Sequence, residues 1–143
     1  MNASTPVIVT ATRRFDAPPE SVFDRWLDPS RAGDWLFATP TGHATRIELD
    51  ARVLGRYTIS RRCDGEDEVH TGQFLKIERP HHLVFTRSTG GSPSDPVTID
   101  IAASANGCEL TLSQTIDPAC ADFAEQTRNE WRDMLDRLAR TLN

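Results

Sequence analysis

The sequence has few cysteines and no long apolar run. Its three cysteines, Cys63, Cys108 and Cys120, are odd in number and show no CxxC spacing. This pattern is typical of reduced thiols, so we expect a cytoplasmic protein without a disulfide framework. No apolar stretch approaches the roughly 18 residues of a membrane-spanning helix, and the first residues lack the apolar core of a signal peptide. We therefore expect neither membrane insertion nor secretion.

Signatures of common catalytic and metal sites are also missing. The sequence contains no HExxH, no GxSxG, no phosphate loop and no Rossmann fingerprint. Its histidines, His43, His70, His81 and His82, do not have the spacing of metal ligands. We predict no metal and no cofactor. The net charge of −5 argues against a nucleic-acid partner.

The length of the sequence indicates one domain over residues 1–143, because a chain of this size can form a single hydrophobic core. Its longest periodic segment runs from Ala119 to Leu142 and is predicted to be a helix that starts at Asp117-Pro118. Four apolar residues at steps of three and four are expected to be buried on one face of this helix: Phe123, Trp131, Met134 and Leu138.

The rest of the chain is predicted to be mostly strands. Alternating residues predict a first strand over 6–15, then a short helix around Val22 to Leu27 and a second short helix over 29–36. Asn106-Gly107 is the strongest hairpin signal. Short turns between strands imply antiparallel pairing. Six further strands are predicted, over 44–49, 53–62, 68–78, 82–88, 96–103 and 108–116.

Several pieces of the sequence, in a fixed order, carry a resemblance to a known family: TRRFDAPPESVFDRWLDP, DW at 34–35, DARVLGRY, TGQFLKIERPHHLVFTR, CELTLSQ and EWRDMLDRLARTL. In this order they resemble the START-like superfamily, also called the Bet v 1-like or SRPBCC fold, and within it the mostly bacterial family related to the activator of Hsp90 ATPase. Two positions depart from the family pattern. Leu54-Gly55 stands where the family usually has paired glycines, and Glu130 stands where it often has glycine before the helix tryptophan.

The resemblance implies an α+β helix-grip fold, in which a curved antiparallel sheet wraps around the long C-terminal helix and leaves a cavity between them. It also implies varied functions. Relatives bind lipids, sterols, polyketides or hormones, some are cyclases or dehydratases, and some are co-chaperone domains. Because fold does not settle function, the site has to be considered separately.

Polar residues at inward positions of the strands are the candidates for ligand contacts. Leu83 and Phe85 set the inward parity that Arg87 continues, and Gln114 follows Leu110 and Leu112 in the same way. Apolar cavities with a few polar groups are the usual form of small-molecule sites. The full candidate set is Trp35, Phe37, Tyr57, Gln73, Arg87, Gln114, Glu130, Trp131 and Met134.

We therefore expect the cavity to bind a small, largely apolar ligand of lipid, polyketide or aromatic type. Glu130 is expected either to form an ion pair with Arg87 or Arg56 or to act as a general acid or base, and Tyr57 is the other acid–base candidate. A cyclase or dehydratase and a co-chaperone-like interaction domain remain alternatives. The identity of the ligand, a homodimer and a protein partner are left open by the sequence.

Overall fold

The computed structural model describes residues 7–28, 35, 44–63, 65–89, 95–116 and 118–142. Within these residues it contains seven strands, two α-helices and one 3-10 helix. The predicted second short helix over 29–36 lies outside the described residues, apart from Trp35. The elements are β1 (Val7–Phe15), α1 (Pro19–Arg25), β2 (Ala44–Leu49), β3 (Arg56–Cys63), β4 (Glu66–Glu78), β5 (His82–Thr89), β6 (Asp95–Ser104), β7 (Gly107–Ile116), the 3-10 helix (Pro118–Phe123) and α2 (Ala124–Thr141).

The strands form one curved antiparallel sheet in the order β1-β7-β6-β5-β4-β3-β2. The hairpin predicted at Asn106-Gly107 is confirmed, since β6 and β7 pair as far as Ser104 and Gly107. A Cβ at Gly107 would lie only 2.0 Å from the carbonyl oxygen of Phe15, so the close approach of β1 requires glycine there. The α+β helix-grip prediction is confirmed.

The C-terminal helix packs its apolar face on the sheet, most extensively against β1. Trp131, Met134 and Leu138 are buried as predicted. The prediction for Phe123 was wrong, because this side chain is 59% exposed. Phe123 ends the 3-10 helix, which has about 3.0 residues per turn, so the spacing of about 3.6 residues does not extend back to it.

The core lies between the inner face of the sheet and the two α-helices. Alternate residues of β5, β6 and β7 fill it, together with Val22 and Phe23 of α1 and the buried face of α2. Among the described residues no helix is long and apolar enough to span a membrane. The largest fully buried side chains include Trp35, Trp131, Phe23, Ile59, Leu83, Ile99, Leu110, Leu112, Leu135 and Leu138.

Candidate ligand-binding site

Arg87 lies on the inner face of the sheet, where strand alternation predicted it. Leu83 and Phe85 are buried on the same face of β5, and Arg87 is only 8% exposed. In the sheet register Arg87 is directly opposite Asp95 of β6. The neighbouring pair places Gln114 of β7 opposite Val97. Three polar side chains therefore come together at one end of the sheet.

Gln114 is the centre of the hydrogen bonds in this group. Its Oε1 accepts from Nε1 of Trp131 at 2.7 Å and from Nη1 of Arg87 at 3.3 Å. Its Nε2 donates to Oδ2 of Asp95 at 3.1 Å. A flipped amide would set its NH2 group against two donors, so the contacts determine its orientation. One buried amide thus holds the positions of β5, β6 and α2 residues together.

The Arg87 guanidinium also contacts α2. Nη2 of Arg87 donates to Oε2 of Glu130 at 3.3 Å, so of the alternatives left open for Glu130 the structure contains the ion pair with Arg87. The guanidinium lies 5.1 Å from the centre of the Trp131 ring, within the range of a cation–π contact. The Glu130 side chain is 41% exposed, so the pair spans from the interior to the surface. The positive charge of Arg87 is therefore balanced within the site. We call Arg87, Asp95, Gln114 and Glu130 the polar cluster.

Tyr57 lies beside this cluster but its hydroxyl is already engaged. The Tyr57 hydroxyl donates to the carbonyl oxygen of Thr86 at 2.8 Å. Burial raises the pKa of Tyr57, and the positive charge of Arg87 opposes that rise only in part. The ring fits because residue 72 is glycine: a Cβ there would lie 2.3 Å from Cε2 of Tyr57. Tyr57 therefore contributes a ring wall to the site and holds its proton tightly.

An aromatic cluster packs against the polar cluster from the side of the hydrophobic core. We use this name for Trp26, Trp35, Tyr57, Phe74, Phe85 and Trp131. Trp26 lies at its centre, with ring centroids 4.5 Å from Trp35, 5.9 Å from Phe85 and 6.2 Å from Trp131. The rings of Tyr57 and Phe74 both contact the ring of Phe85. The site therefore combines flat apolar walls with one balanced ion pair, as small-molecule sites commonly do.

The prediction that Gln73 faces inward was wrong. Phe74 is the buried residue of that part of β4, so Gln73 faces the other way, and its Nε2 donates to the carbonyl oxygen of Leu54 at 3.0 Å. A register shift between Phe74 and Lys76 reverses the alternation. The sequence placed Gln73 on the same side as Leu75 and Ile77 but gave Phe74 the opposite side, and in the structure Phe74 is the buried residue.

Of the other candidates, Phe37 lies outside the described residues. Met134 is buried one turn along α2 from Trp131. Trp26 was not among the candidates, because its spacing with Val22 and Phe23 indicated an ordinary helix core. His70 was considered only as a metal ligand and was set aside because the histidines lack the spacing of metal ligands. His70 is fully buried, and its Nε2 lies 2.7 Å from Oε1 of Glu68. The inward parity of Phe74, four residues on, is the signal that could have placed it.

In the part of the chain that the structure describes, no group of three or more histidine, cysteine or acidic side chains could hold a metal ion. The two acid–base candidates, Glu130 and Tyr57, also have different surroundings. Glu130 reaches the surface, whereas the Tyr57 hydroxyl donates to a backbone carbonyl. The arrangement offers apolar walls and hydrogen-bond partners, which suit binding.

A curved antiparallel sheet around a C-terminal helix, with a polar and an aromatic cluster between them, defines a protein of the START-like, or SRPBCC, class. The chain belongs to a particular family of that class. The family model "Activator of Hsp90 ATPase homolog 1-like protein" matches residues 16–143. No curated protein matches the chain.

Solved structures share this fold. Protein CV1439 from Chromobacterium violaceum is 26% identical with a TM-score of 0.84, over 94% of this chain and 96% of that one. An AHSA1-like protein from Aeromonas hydrophila is 20% identical with a TM-score of 0.82, over 94% and 90% of the two chains. DynU16, from the dynemicin biosynthetic locus, is 21% identical with a TM-score of 0.76, over 94% of this chain and 46% of that one.

Proposed function

We propose that this protein binds a small, neutral, largely apolar ligand between the sheet and α2, beside the polar cluster. The observation that carries the proposal is the buried Arg87, held by Gln114 and Glu130 against the Trp131 ring. Burying a guanidinium costs several kcal/mol, and an apolar group of similar volume often serves stability as well or better. Its presence next to apolar walls is therefore better explained by a ligand than by folding alone.

The charge balance supports a neutral ligand. The Glu130 carboxylate already pairs with Arg87, and the side-chain oxygen of Gln114 already accepts hydrogen bonds from Arg87 and Trp131. An anionic ligand would have to displace Glu130 or lie close to its carboxylate. A neutral ligand leaves the ion pair intact and gains from the rings of the aromatic cluster. The structural likeness to DynU16, from a biosynthetic locus, is compatible with a ligand of this kind.

A fatty acid and its methyl ester provide the test, because they differ mainly in charge. Titration of the wild type, followed by tryptophan fluorescence, should show that the ester binds at least as tightly as the acid. Glu130→Gln removes the carboxylate that pairs with Arg87 and makes the site less negative, so the ratio of acid to ester affinity should rise about tenfold, which corresponds to about 1.4 kcal/mol. Glu125→Gln is the matched control, since it makes the same change on the exposed side of the same helix.

Two results would contradict the proposal. No binding of either compound, across a range of chain lengths, would remove the basis for a ligand site. A wild type that binds the acid much more tightly than the ester would show that Arg87 is available to anions. In the second case the ligand class is wrong, whereas the location between sheet and helix still stands.

The enzyme alternative has less support from the geometry. A cyclase or dehydratase would use Glu130 or Tyr57 as acid or base. The Tyr57 proton is held by the Thr86 carbonyl, and the raised pKa of Tyr57 disfavours its loss near neutral pH. Catalysis through Glu130 stays a prediction, which a Glu130→Gln variant with an unchanged affinity and a lost turnover would support. The co-chaperone alternative also stays a prediction.

A further inference from the structure

Two buried indole groups at the centre of the aromatic cluster lack a hydrogen-bond partner. The Nε1 atoms of Trp26 and Trp35 are fully buried, and neither has a partner within the described ranges of the chain. Their rings meet edge to face, with centroids 4.5 Å apart and planes at 84°. Trp131, the third tryptophan, differs because its Nε1 donates to Gln114. Among the three indole groups, the two without a partner in the described residues therefore belong to one ring pair beside the proposed ligand site.

This pair of donors is costly in a closed core. A buried N–H that has lost its water and gained no acceptor is unfavourable, and native proteins leave very few such groups. An edge-to-face ring contact supplies at most a weak N–H···π interaction. The two donors belong to rings in direct contact, so an acceptor group that enters at this contact is the simplest partner for both. The contact between Trp26 and Trp35 is therefore expected to open around a ligand that carries a hydrogen-bond acceptor.

We propose that the indole N–H groups of Trp26 and Trp35 are the hydrogen-bond donors of the ligand site, and that the ligand carries a carbonyl oxygen on a flat, aromatic or polycyclic skeleton. This inference rests on the proposed function. A carbonyl oxygen has two lone pairs and accepts from two donors without bringing a charge. The flat skeleton follows from the ring walls, since Phe85 and Trp131 both lie about 6 Å from Trp26.

Trp26 is placed to move when the ligand enters. It is the C-terminal cap of α1, a helix of seven residues. Its contacts with Phe85 and Trp131 are ring contacts, which can slide without breaking a hydrogen bond. The Trp26–Trp35 contact must open, because the two Nε1 atoms are fully buried in the closed form. Fluorescence of these tryptophans should therefore respond to a ligand with the carbonyl.

The probes are 9-fluorenone and fluorene, which share a flat tricyclic skeleton and differ in one carbonyl. Wild type should bind fluorenone about five- to tenfold more tightly than fluorene, the range that one net hydrogen bond supplies. In each of Trp26→Phe and Trp35→Phe this ratio should fall towards one, even where the variant weakens both ligands. Phe123→Leu is the control, because this exposed aromatic side chain lies outside the aromatic cluster, and it should keep the preference for the ketone.

Indole resonances in the wild type give a second readout that needs no variant to fold well. The chain has three tryptophans, so a nitrogen–proton correlation spectrum shows three indole signals. Ring-current effects are similar in the two complexes, so the difference between them isolates the carbonyl. The Trp26 and Trp35 indole protons should resonate further downfield with fluorenone than with fluorene, and the Trp131 proton should differ least.

The outcomes separate this inference from the proposed function. Equal affinities for the two probes, with equal indole shifts, would overturn the role of the two N–H groups and leave ligand binding intact. Binding of the methyl ester without binding of either tricyclic probe would also overturn the inference alone. No binding in both panels would overturn the proposed function and the inference with it.

Discussion

Replacing Gln114 with leucine removes the amide that joins the polar cluster while keeping a side chain of similar length. The change leaves Nε1 of Trp131 and Nη1 of Arg87 without the oxygen they share at 2.7 and 3.3 Å. Losing a hydrogen bond to a buried acceptor costs about 1–3 kcal/mol, more when the donor is charged. The gain from burying leucine offsets part of this. We expect Gln114→Leu to lower the free energy of unfolding by about 2–4 kcal/mol.

Urea unfolding followed by tryptophan fluorescence measures this change, with the slope of the transition checked for equality between variants. Gln73→Leu is the matched control, because it makes the same chemical change on the outer face, where Nε2 donates to Leu54. The control should lose less than about 1 kcal/mol, as expected for an exposed hydrogen bond. Equal losses in the two variants would refute the central place of Gln114 in the cluster. An upfield shift of the Trp131 indole proton in Gln114→Leu gives independent support.

Three further substitutions test the fold. Leu54 is 65% exposed and has a left-handed backbone with φ of 68°. Leu54→Gly should stabilise the protein by about 0.5–1 kcal/mol. The reason is that the backbone strain of a non-glycine residue there, about 1–2 kcal/mol, exceeds the entropy cost of glycine. The exposed Val53 is the control, and Val53→Gly should destabilise in the same urea assay. Trp131→Ala should cost about 3–5 kcal/mol as a core truncation, and a loss below 1 kcal/mol would contradict its buried place. Arg79 donates twice to Asp24, at 2.8 and 2.9 Å, and lowers the pKa of Asp24. A depressed carboxyl pKa stabilises the fold above the unfolded value near 3.8 and stops doing so as the pH falls through the folded value. Asp24→Asn should therefore have a slightly lower Tm than wild type at pH 6, with the difference shrinking as the pH falls below 3.8. Both side chains are about half exposed, so the effect is small. A difference that stays constant with pH would show that the ion pair is not its cause.

The sequence correctly predicted which side chains face inward in strands where inward and outward residues alternate without interruption. In β5 the steps from Leu83 to Phe85 to Arg87 kept one face, and in β7 the steps from Leu110 to Gln114 did the same. Two of the inward polar residues were therefore predictable. Their partner Glu130 followed from its position at the edge of the apolar face of α2. Period and order thus predicted a sheet folded around the C-terminal helix, and the family resemblance added the helix-grip fold.

Local irregularities explain the predictions that were wrong. The register shift in β4 placed Gln73 on the outer face, and the 3-10 helix left Phe123 exposed. Neither irregularity has a clear residue signature, because each depends on how neighbouring strands and helices pack. The contact between Trp26 and Trp35 was beyond prediction for a similar reason. It joins the end of a helix to a residue nine positions later, and only tertiary packing decides which rings meet.

Native mass spectrometry of the protein purified from its own host tests the central claim most directly, because it requires no guess about the ligand. We predict a non-covalent adduct that is lost on denaturation, extracts into organic solvent and is neutral at neutral pH. Its retention should fall in Arg87→Leu, which leaves Glu130 without its partner at the site. An adduct that is anionic, or one that survives unchanged in Arg87→Leu and Trp131→Ala, would contradict a neutral ligand held between the sheet and α2.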